Sequence, residues 1–247
     1  MSRVAVVTGG ASGVGRSIAE HLARAGDAVA VLDLDGDAAS VTAEHLAENG
    51  GSACGCQVDV ADRRAIESAY RQVRSAFGPI EILVTSAAIS GFVRFQEISP
   101  EEWQRTLDVN LTGTFHSIQA AIDDMVAGRW GRIVTISSAA GQTASPRQSH
   151  YSASKGGVIA MTKTVAAEFG RKGITANSVA PFTVDTPMLR AAQAAGHLPA
   201  TEVIERMIPA GRLGTVDDVG ATCAFLCSED ASYITGQVIA PNGGAVI

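Results

Sequence analysis

The stretch HYSASKGGVIAMTK at positions 150–163 holds two side chains whose types and spacing suit acid–base chemistry. Tyr151 and Lys155 are four residues apart, so on a helix the phenol and the ammonium project into the same space. A free tyrosine has a pKa of about 10, too high for a proton acceptor at neutral pH, and a nearby cation lowers that pKa by stabilising the phenolate. The alternative is structural: a tyrosine at a helix start and a lysine that reaches solvent.

A glycine-rich turn near the start of the chain, TGGASGVG, indicates a phosphate-binding loop. Gly9, Gly13 and Gly15 form the pattern G-x-x-x-G-x-G between an aliphatic run and an amphipathic run. Glycines there let the backbone turn tightly and approach a pyrophosphate, while free N–H groups at a helix N-terminus supply positive potential. The position between strand and helix favours a dinucleotide site.

The acidic residue Asp33 ends the second aliphatic run, 18 residues after Gly15. A carboxylate near that separation accepts hydrogen bonds from the adenosine ribose hydroxyls and repels a 2′-phosphate. Any of three aspartates in this region could instead cap the next helix, but Asp35 or Asp37 suffices for that. No Lys or Arg stands in the glycine loop or directly after Asp33. Arg16 lies just beyond the loop, on the helix. We therefore predict NAD as the cofactor, not NADP.

Aliphatic and amphipathic runs alternate along the chain as the strands and helices of an α/β fold. Strands are predicted at 3–8, 28–33, 52–58, 80–85, 131–137, 174–180 and 237–240, and helices at 13–25, 37–49, 62–77, 101–127, 151–171 and 216–227. Several strands are apolar on both faces, as in a parallel sheet covered on both sides. The prediction is a Rossmann-type, doubly wound parallel sheet of about seven strands with helices on both faces, in a single domain over 1–247.

Residues 182–215 break this rhythm with a long excursion that contains proline, glycine and a short amphipathic stretch. The excursion leaves from the carboxyl end of a strand, where open α/β sheets bind ligands. Long excursions in compact domains are often lids or binding loops. We expect it to be the substrate loop.

Charge, hydropathy and cysteine spacing exclude several function classes. The 247 residues carry a net charge of −6, and no Lys/Arg run is long enough to attract nucleic acid. No apolar run approaches the roughly 20 residues that span a bilayer, and MSRVAVVTGG lacks the apolar region of a signal peptide. A cytoplasmic protein without nucleic-acid or membrane partners is expected. Reduced, mostly buried thiols and no metal site are expected because the spacing of the cysteines does not suit zinc; they are Cys54, Cys56, Cys223 and Cys227.

Beyond the glycine loop, four polar residues agree with one protein family in order, spacing and sequence context. LDVNLTG supplies Asn110, TISSAAG supplies Ser138, and YSASK supplies Tyr151 and Lys155. With them the sequence resembles the short-chain dehydrogenases/reductases over nearly its whole length, and in particular the 3-oxoacyl-acyl-carrier-protein reductase subgroup. Ser138 stands 13 residues before Tyr151, the spacing that this family usually shows.

The resemblance implies a nicotinamide-dependent oxidoreductase in which Tyr151 is the acid/base and Lys155 tunes it and binds the nicotinamide ribose. Ser138 would hold the substrate oxygen, and Asn110 would bend its helix and help to hold a water that links Lys155 to solvent. VDV at 58–60 is similar to a family pair whose acid, Asp59 here, contacts the adenine ring. Together with the glycine loop and Asp33, the expected cofactor residues are Gly9, Ser12, Gly13, Val14, Gly15, Asp33, Asp59, Val60, Ala87, Tyr151, Lys155, Val184 and Thr186.

Substrate contacts are expected from 89–95, 139–149 and the 182–215 excursion. These stretches are mainly apolar with few fixed charges, which predicts a hydrophobic or cyclic secondary alcohol or its ketone. For His150 two interpretations stay open: it faces the substrate or caps the helix, or it lies on the surface. For Phe182 they are that it narrows the site or that it packs in the core. The candidate substrate residues are Phe92, Ser138, Gln142, His150, Phe182 and Met188.

Two departures from the family pattern concern the shape of the nicotinamide pocket. TSAA at 85–88 stands where the family has NNAG, and Ala88 is acceptable there only if the backbone does not need a positive φ. Pro181-Phe182 stands where the family has Pro-Gly.

Three functions are weighed against each other. The first is an NAD-dependent secondary-alcohol dehydrogenase, and the second is an NAD(P)H-dependent 3-oxoacyl-carrier-protein or CoA reductase, whose use of NADPH Asp33 disfavours. The third is a non-catalytic dinucleotide-binding regulatory protein, supported only by the altered TSAA. The resemblance also implies a homotetramer that pairs through the helices carrying Asn110 and Tyr151.

Overall fold

The aliphatic runs form seven parallel strands that pair in the order β3-β2-β1-β4-β5-β6-β7. The computed structural model describes residues 2–247. The strands are β1 (Val4–Thr8), β2 (Ala28–Asp33), β3 (Ser52–Gln57), β4 (Ile82–Thr85), β5 (Gly131–Ile136), β6 (Ile174–Val179) and β7 (Val238–Ile239). Because the strand order reverses between β1 and β4, a crevice opens at their carboxyl ends. The predicted doubly wound parallel sheet is confirmed.

Helices cover both faces of this sheet, as predicted. They are α1 (Gly13–Arg24), α2 (Gly36–Glu48), α3 (Arg63–Phe77), α4 (Pro100–Leu107), α5 (Gly113–Gly128), α6 (Ser149–Phe169), α7 (Pro187–Ala194), α8 (Thr201–Met207) and α9 (Val216–Cys227). One apolar core lies between the sheet and α3, α5 and α6, and a second lies between the sheet and α1, α2 and α9. Within residues 2–247, no helix has both the length and the apolar character needed to cross a membrane.

The buried side chains of β1 alternate between the two cores, which explains why strands of this sheet have apolar residues on both faces. Val4 and Val6 enter the first core, while Ala5 and Val7 enter the second. Each of these side chains is removed from water, and each buried CH₂ contributes about 0.8 kcal/mol of hydrophobic stabilisation. Two-sided burial of this kind holds the strand ends in place under the crevice.

The helix predicted at 101–127 is wrong in one respect, because two α-helices and a π-helical turn occupy that stretch. α4 ends at Leu107, the turn spans Asp108–Thr112, and α5 starts at Gly113. The reason is Asn110, whose buried side chain bonds the backbone of Ile89. A π turn inserts one extra residue into the helix, and here that insertion carries Asn110 toward the end of β4.

The excursion at 182–215 folds into more structure than its sequence predicted. It contains α7 and α8, which share a small apolar cluster made by Leu189, Ile204 and Ile208. Its base is closed by a parallel bridge between Val184 and Gly214. The excursion is therefore a packed cap with its own small core, held at both ends.

The edge strand β3 is set against α2 through Gly55. A Cβ at this position would lie 2.6 Å from the backbone nitrogen of Ser40 and 2.7 Å from the carbonyl carbon of Ala39. No real Cβ tolerates such distances to backbone atoms, which cannot rotate away. Only glycine lets β3 and α2 approach this closely.

We expect Gly55→Ala to lower the free energy of unfolding by about 1–3 kcal/mol, because the new methyl group forces β3 away from α2. Gly170→Ala is the matched control, since a Cβ at Gly170 meets open space and its φ is −53°. The control should change the free energy of unfolding by no more than about 0.5 kcal/mol. Urea unfolding of both variants measures the difference, and equal stabilities would contradict the close approach.

Candidate active site

A cavity of about 1320 Å³ opens at the carboxyl ends of the strands. Its wall is built from the glycine loop, the segments after β2, β3, β4 and β5, the start of α6 and the excursion. All thirteen expected cofactor residues lie on this wall: Gly9, Ser12, Gly13, Val14, Gly15, Asp33, Asp59, Val60, Ala87, Tyr151, Lys155, Val184 and Thr186. The fold thus brings together side chains spread over most of the chain.

The glycine loop packs tightly against the end of β4. Gly9 has a φ of +66°, and a Cβ on it would lie 2.7 Å from the Cα of Ala87. The Thr8 hydroxyl accepts hydrogen bonds from the backbone N–H groups of Ser86 (3.2 Å) and Ala87 (3.4 Å). These contacts fix the loop at the floor of the cavity, where a ligand can approach the backbone closely.

The N-terminus of α1 faces the cavity without a side-chain cap. Ser12 is extended and makes no capping hydrogen bond, and no acidic residue lies in the first turn. The first N–H groups of a helix have no partner within the helix and carry positive potential. This end of α1 therefore suits an anionic group such as a pyrophosphate.

Asp33 lies at the mouth of the cavity beyond β2. One carboxylate oxygen accepts a hydrogen bond from the Ala11 N–H (3.1 Å) and the other accepts one from the Asp35 N–H (3.2 Å). Asp35 caps α2 by accepting from Ala38 N–H at 3.0 Å, so Asp33 is free of that task. The residue after Asp33 is the exposed Leu34, and Arg16 is outside the cavity wall, where it bonds Glu20. The wall at this point carries a carboxylate and an aliphatic side chain.

Ser138, Tyr151 and Lys155 meet at the end of β5. The Ser138 hydroxyl accepts a hydrogen bond from the Ala140 N–H at 3.1 Å, which fixes its position before α6. The Lys155 ammonium is buried, donates to the Ile136 carbonyl at 2.8 Å and lies 5.7 Å from the centroid of the Tyr151 ring. The phenol and the ammonium share one helix face, as the spacing predicts.

The environment shifts the pKa values of both residues of the pair. Burial raises the pKa of Tyr151, and the neighbouring Ser138 hydroxyl acts in the opposite direction by hydrogen bonding. Burial lowers the pKa of Lys155 to about 8. In both residues burial disfavours the charged form, and titratable groups shifted in this way within a cavity are typical of functional sites.

Asn110 lies behind the cavity wall and is fully buried. Its amide oxygen accepts from the Ile89 N–H (2.8 Å), and its NH₂ group donates to the Ile89 carbonyl (2.9 Å) and the Ser154 hydroxyl (3.0 Å). The Ser154 hydroxyl in turn donates to the Tyr151 carbonyl at 2.7 Å. Asn110 therefore ties the loop after β4 to the turn of α6 that carries Tyr151.

Among the expected substrate residues, Phe92, Ser138, Phe182 and Met188 line the cavity. Phe182 also packs against the small core of the excursion, so it has both of the roles left open by the sequence. Phe92 stacks on His197 of the excursion, with ring centroids 5.3 Å apart. This contact joins the loop after β4 to the cap over the cavity.

The structure places Gln142 and His150 outside the cavity wall. Gln142 is exposed where the short turn after Ser138 ends. His150 is buried under the loop after β4, where its Nε2 lies 3.1 Å from the position of a Cβ on Gly91. Consecutive helical residues point about 100° apart, so His150 faces that loop while Tyr151 faces the cavity.

One polar wall of the cavity was not predicted from the sequence. Four residues of the α4 region line the cavity at i, i+3, i+4 and i+7: Glu101, Gln104, Arg105 and Asp108. This spacing marks one helix face and was a usable signal. Gln148 was also missed; it is buried, lines the cavity and donates to the Ser90 hydroxyl at 2.9 Å.

The departure at Ala88 is compatible with the backbone. Within residues 2–247, Arg129 and Arg147 are the non-glycine residues with positive φ, so Ala88 adopts an ordinary conformation. Across the same described residues, no three His, Cys, Asp or Glu side chains are grouped where they could hold a metal ion.

Known proteins share this arrangement over almost the full chain. A family model described as Enoyl-(Acyl carrier protein) reductase matches residues 9–246. The 3-oxoacyl-[acyl-carrier-protein] reductase FabG of Aquifex aeolicus is 39% identical over 98% of this chain and 96% of its own length. The 2-dehydro-3-deoxy-L-rhamnonate dehydrogenase (NAD(+)) of a Sphingomonas species is 37% identical over 98% and 94%. The crystal structure of gox2181 superposes with a TM-score of 0.94 at 34% identity, covering 99% of this chain and 95% of that one.

The buried Lys155 gives stability a pH dependence of known sign. Its folded pKa of about 8 lies below the unfolded value of about 10.5, so between these pH values the unfolded chain binds the proton that the folded chain has lost. The free energy of unfolding of the wild type, relative to Lys155→Met, should therefore rise by about 1 kcal/mol per pH unit from pH 8 to 10. Denaturant unfolding across this range measures it. Lys163→Met, which removes an exposed lysine from the same helix, is the control. Parallel profiles of wild type and Lys155→Met would contradict the effect of burial.

Proposed function

Because the chain belongs to the short-chain dehydrogenase/reductase family and is an oxidoreductase acting on CH–OH groups, we propose that it interconverts a hydrophobic or cyclic secondary alcohol and its ketone with NAD(H). The observation that carries this proposal is the meeting of Ser138, Tyr151 and Lys155 at the end of β5 inside the large cavity. This geometry supports Tyr151 as the proton donor and Ser138 as a hydrogen-bond donor to the same substrate oxygen.

The residues present fit a nicotinamide dinucleotide. The uncapped N-terminus of α1 and the close-packed Gly9 suit its pyrophosphate, and Asp33 suits the hydroxyls of its adenosine ribose. Asp59 and Val60 lie beyond β3 where the adenine ring would rest, and Val184 and Thr186 lie where the carboxamide would be held. When bound, the nicotinamide ring supplies hydride acceptance or donation.

The protein groups manage the proton and the charge on the substrate oxygen. In alcohol oxidation the Tyr151 oxygen takes the hydroxyl proton, and in ketone reduction the Tyr151 hydroxyl returns it to the carbonyl oxygen. The Ser138 hydroxyl hydrogen-bonds the same oxygen and stabilises the negative charge that develops on it. A charged Lys155, whose ammonium lies 5.7 Å from the centroid of the Tyr151 ring, favours the phenolate against the effect of burial, and a pKa of about 8 allows Lys155 to exchange its proton near neutral pH. Asn110 positions Tyr151 through Ser154.

The preference for NAD over NADP is part of the proposal and rests on Asp33 and its neighbours. A 2′-phosphate beside the Asp33 carboxylate would be repelled, and the exposed Leu34 offers no hydrogen-bond donor to hold it. Arg16, the cation that directly follows the glycine loop, bonds Glu20 and lies outside the cavity wall. The Sphingomonas relative, whose name includes NAD(+), is consistent with this choice.

The substrate class is inferred from the apolar side chains of the cap. Phe92, Phe182 and Met188 line the substrate side together with Leu198 and Met207. A second candidate function, reduction of 3-oxoacyl thioesters, is favoured by the similarity to the Aquifex relative of that name. The presence of the Ser138, Tyr151 and Lys155 geometry speaks against a purely regulatory protein.

A homotetramer stays a prediction. It accords with the apolar side chains exposed on α5 and α9, Phe115 and Phe225, which an interface between copies of the chain would cover.

The proposal is tested by nicotinamide absorbance in both directions, with NAD(H) and NADP(H) in parallel. The panel contains aliphatic, cyclic, aromatic and steroidal secondary alcohols, 3-hydroxyacyl thioesters, and the corresponding ketones and 3-oxoacyl thioesters. We expect turnover with NAD(H) on one hydrophobic or cyclic class; preference for 3-oxoacyl thioesters would establish the second candidate instead.

Tyr151→Phe completes this experiment, because it removes the proton donor and leaves the ring in place. It should lose at least about 100-fold in kcat, the lower end of general acid–base contributions, and still bind NAD(H). Tyr233→Phe removes a hydroxyl from a fully exposed side chain and should retain full activity. Retained turnover in Tyr151→Phe would rule out the assigned acid/base.

Asp33→Ala should raise the ratio of kcat/KM with NADP(H) to that with NAD(H) about tenfold or more. The reason is that two unit charges about 4 Å apart repel by about 1 kcal/mol even in water, and a phosphate carries more than one charge. Asp37→Ala makes the same change of charge on exposed α2 outside the cavity wall and should leave the ratio unchanged. If both variants keep the wild-type ratio, another residue sets the preference.

A further inference from the structure

Two cysteines stand side by side on the edge strand β3, away from the residues assigned to the reaction. Cys54 and Cys56 are separated by Gly55, so their side chains leave the same face of the strand. β3 pairs with β2 along one edge, and its other edge has no strand beside it in the described sheet. Both thiols are free and partly buried, and both pack against the first core. Each keeps part of its surface exposed in the folded chain.

The surroundings of β3 hold this arrangement in place. Gly55 is pressed against the α2 backbone, which fixes the orientation of the strand and sends both cysteine side chains to the opposite face. Six register pairs with β2, from Ala28–Ser52 to Asp33–Gln57, prevent β3 from sliding or twisting independently. The other two cysteines, Cys223 and Cys227, are buried on α9. The chain thus contains one partly exposed pair of thiols and one buried pair.

The two thiols influence each other's ionisation. Their interaction raises the pKa of Cys54 and lowers that of Cys56, while burial acts to raise both. The thiolate is the form that binds soft atoms, and sharing one proton between two sulfurs favours a thiolate at Cys56.

A direct disulfide does not suit this geometry. Side chains at i and i+2 leave a strand nearly parallel, so their Cβ atoms are about 6.6 Å apart, whereas the Cβ atoms of a disulfide lie about 3.8 Å apart. Closing the bond would require β3 to buckle out of its register with β2. A single bridging atom makes a smaller demand, because two bonds of about 2.3 Å that meet at a bent angle span sulfurs about 3.5 Å apart, against about 2.05 Å in a disulfide.

We propose that Cys54 and Cys56 form a bidentate dithiol site that captures one soft, thiophilic centre, of the class of trivalent organoarsenicals. In this reaction an arsenic–oxygen bond is exchanged for two arsenic–sulfur bonds: R–As=O and two thiols give R–As(S)₂ and one water, with no change of oxidation state. The third bond of the arsenic is to its own carbon. The protein therefore has to provide only two sulfurs.

The absence of a third protein ligand selects this class of centre. Over residues 2–247 no group of three metal-ligating side chains includes these cysteines. Zinc in structural sites takes four ligands, which the pair cannot supply. A centre satisfied by two thiolates fits the site as built.

The site is separate from the large cavity, although the same strand leads into it. Neither cysteine lines the cavity, whereas Val58 and Asp59, just beyond β3, do. Capture at the dithiol should therefore proceed equally well when NAD(H) is bound.

Phenylarsine oxide is the probe, added in one equivalent to the folded full-length chain and followed by native mass spectrometry. We expect one adduct per chain and the loss of two titratable thiols. The adduct should survive excess glutathione, a monothiol, and be removed by 2,3-dimercaptopropanol, a dithiol. Cys54→Ser and Cys56→Ser should each weaken capture about 100-fold or more, because the second bond is then no longer intramolecular. Cys223→Ala, which removes a buried cysteine, should capture like the wild type.

Four results would overturn the proposal. They are failure of the folded wild type to form the adduct, undiminished capture by either serine variant, loss of capture in Cys223→Ala, and loss of capture under saturating NAD(H). Alanine variants at positions 54 and 56, checked by circular dichroism and by NAD(H) binding, keep the test decisive if a serine variant folds poorly.

Discussion

Burial of the Lys155 ammonium against one backbone carbonyl is the constraint on which the rest of the site depends. The side chain is almost inaccessible to solvent, and its one protein acceptor is the Ile136 carbonyl at 2.8 Å. Desolvation disfavours the charged form strongly, which is why its pKa falls to about 8. A lysine on the opposite face of α6 would keep its charge in water and do nothing for Tyr151. The position of α6 over the end of β5 is thus what buries Lys155 and shifts its pKa.

Polar contacts hold α6 in that position together with its apolar packing against the sheet. Asn110 occupies the π-helical turn between α4 and α5 and bonds both backbone groups of Ile89, so the loop after β4 cannot move independently of α5. Its third bond, to Ser154, fastens the first turns of α6. Gln148 and Ser90 repeat this connection nearer the cavity. Buried polar networks of this kind are costly unless every member is satisfied, and here satisfaction also sets the position of Tyr151.

The cavity itself follows from the parallel sheet. Strand ends that meet at one edge bring the glycine loop, Asp33, Asp59 and Ser138 around a common space, although they are spread over more than 100 residues of sequence. The excursion then covers this space with a cap that has its own small core and a bridge at its base. Phe92 and His197 connect the cap to the loop after β4. The strand ends thus form the floor of the cavity, and the excursion forms its cover.

The sequence by itself determined the alternation of strands and helices, with element ends correct to within about two residues, because two-sided burial and helical amphipathicity leave periodic patterns. Local spacing and the resemblance to the family also predicted that the glycine loop, Asp33 and the Tyr151–Lys155 pair line one site, and all of them line the cavity. Only the tertiary structure decided the π-helical turn at Asn110, the burial of His150 under Gly91 and the polar wall of α4. It likewise decided that Gly55 must lie against α2, which places Cys54 and Cys56 together on the opposite face of β3, partly buried against the first core. The physical reason is that a residue's own periodicity reports which face it occupies, whereas its neighbours across that face come from distant parts of the chain.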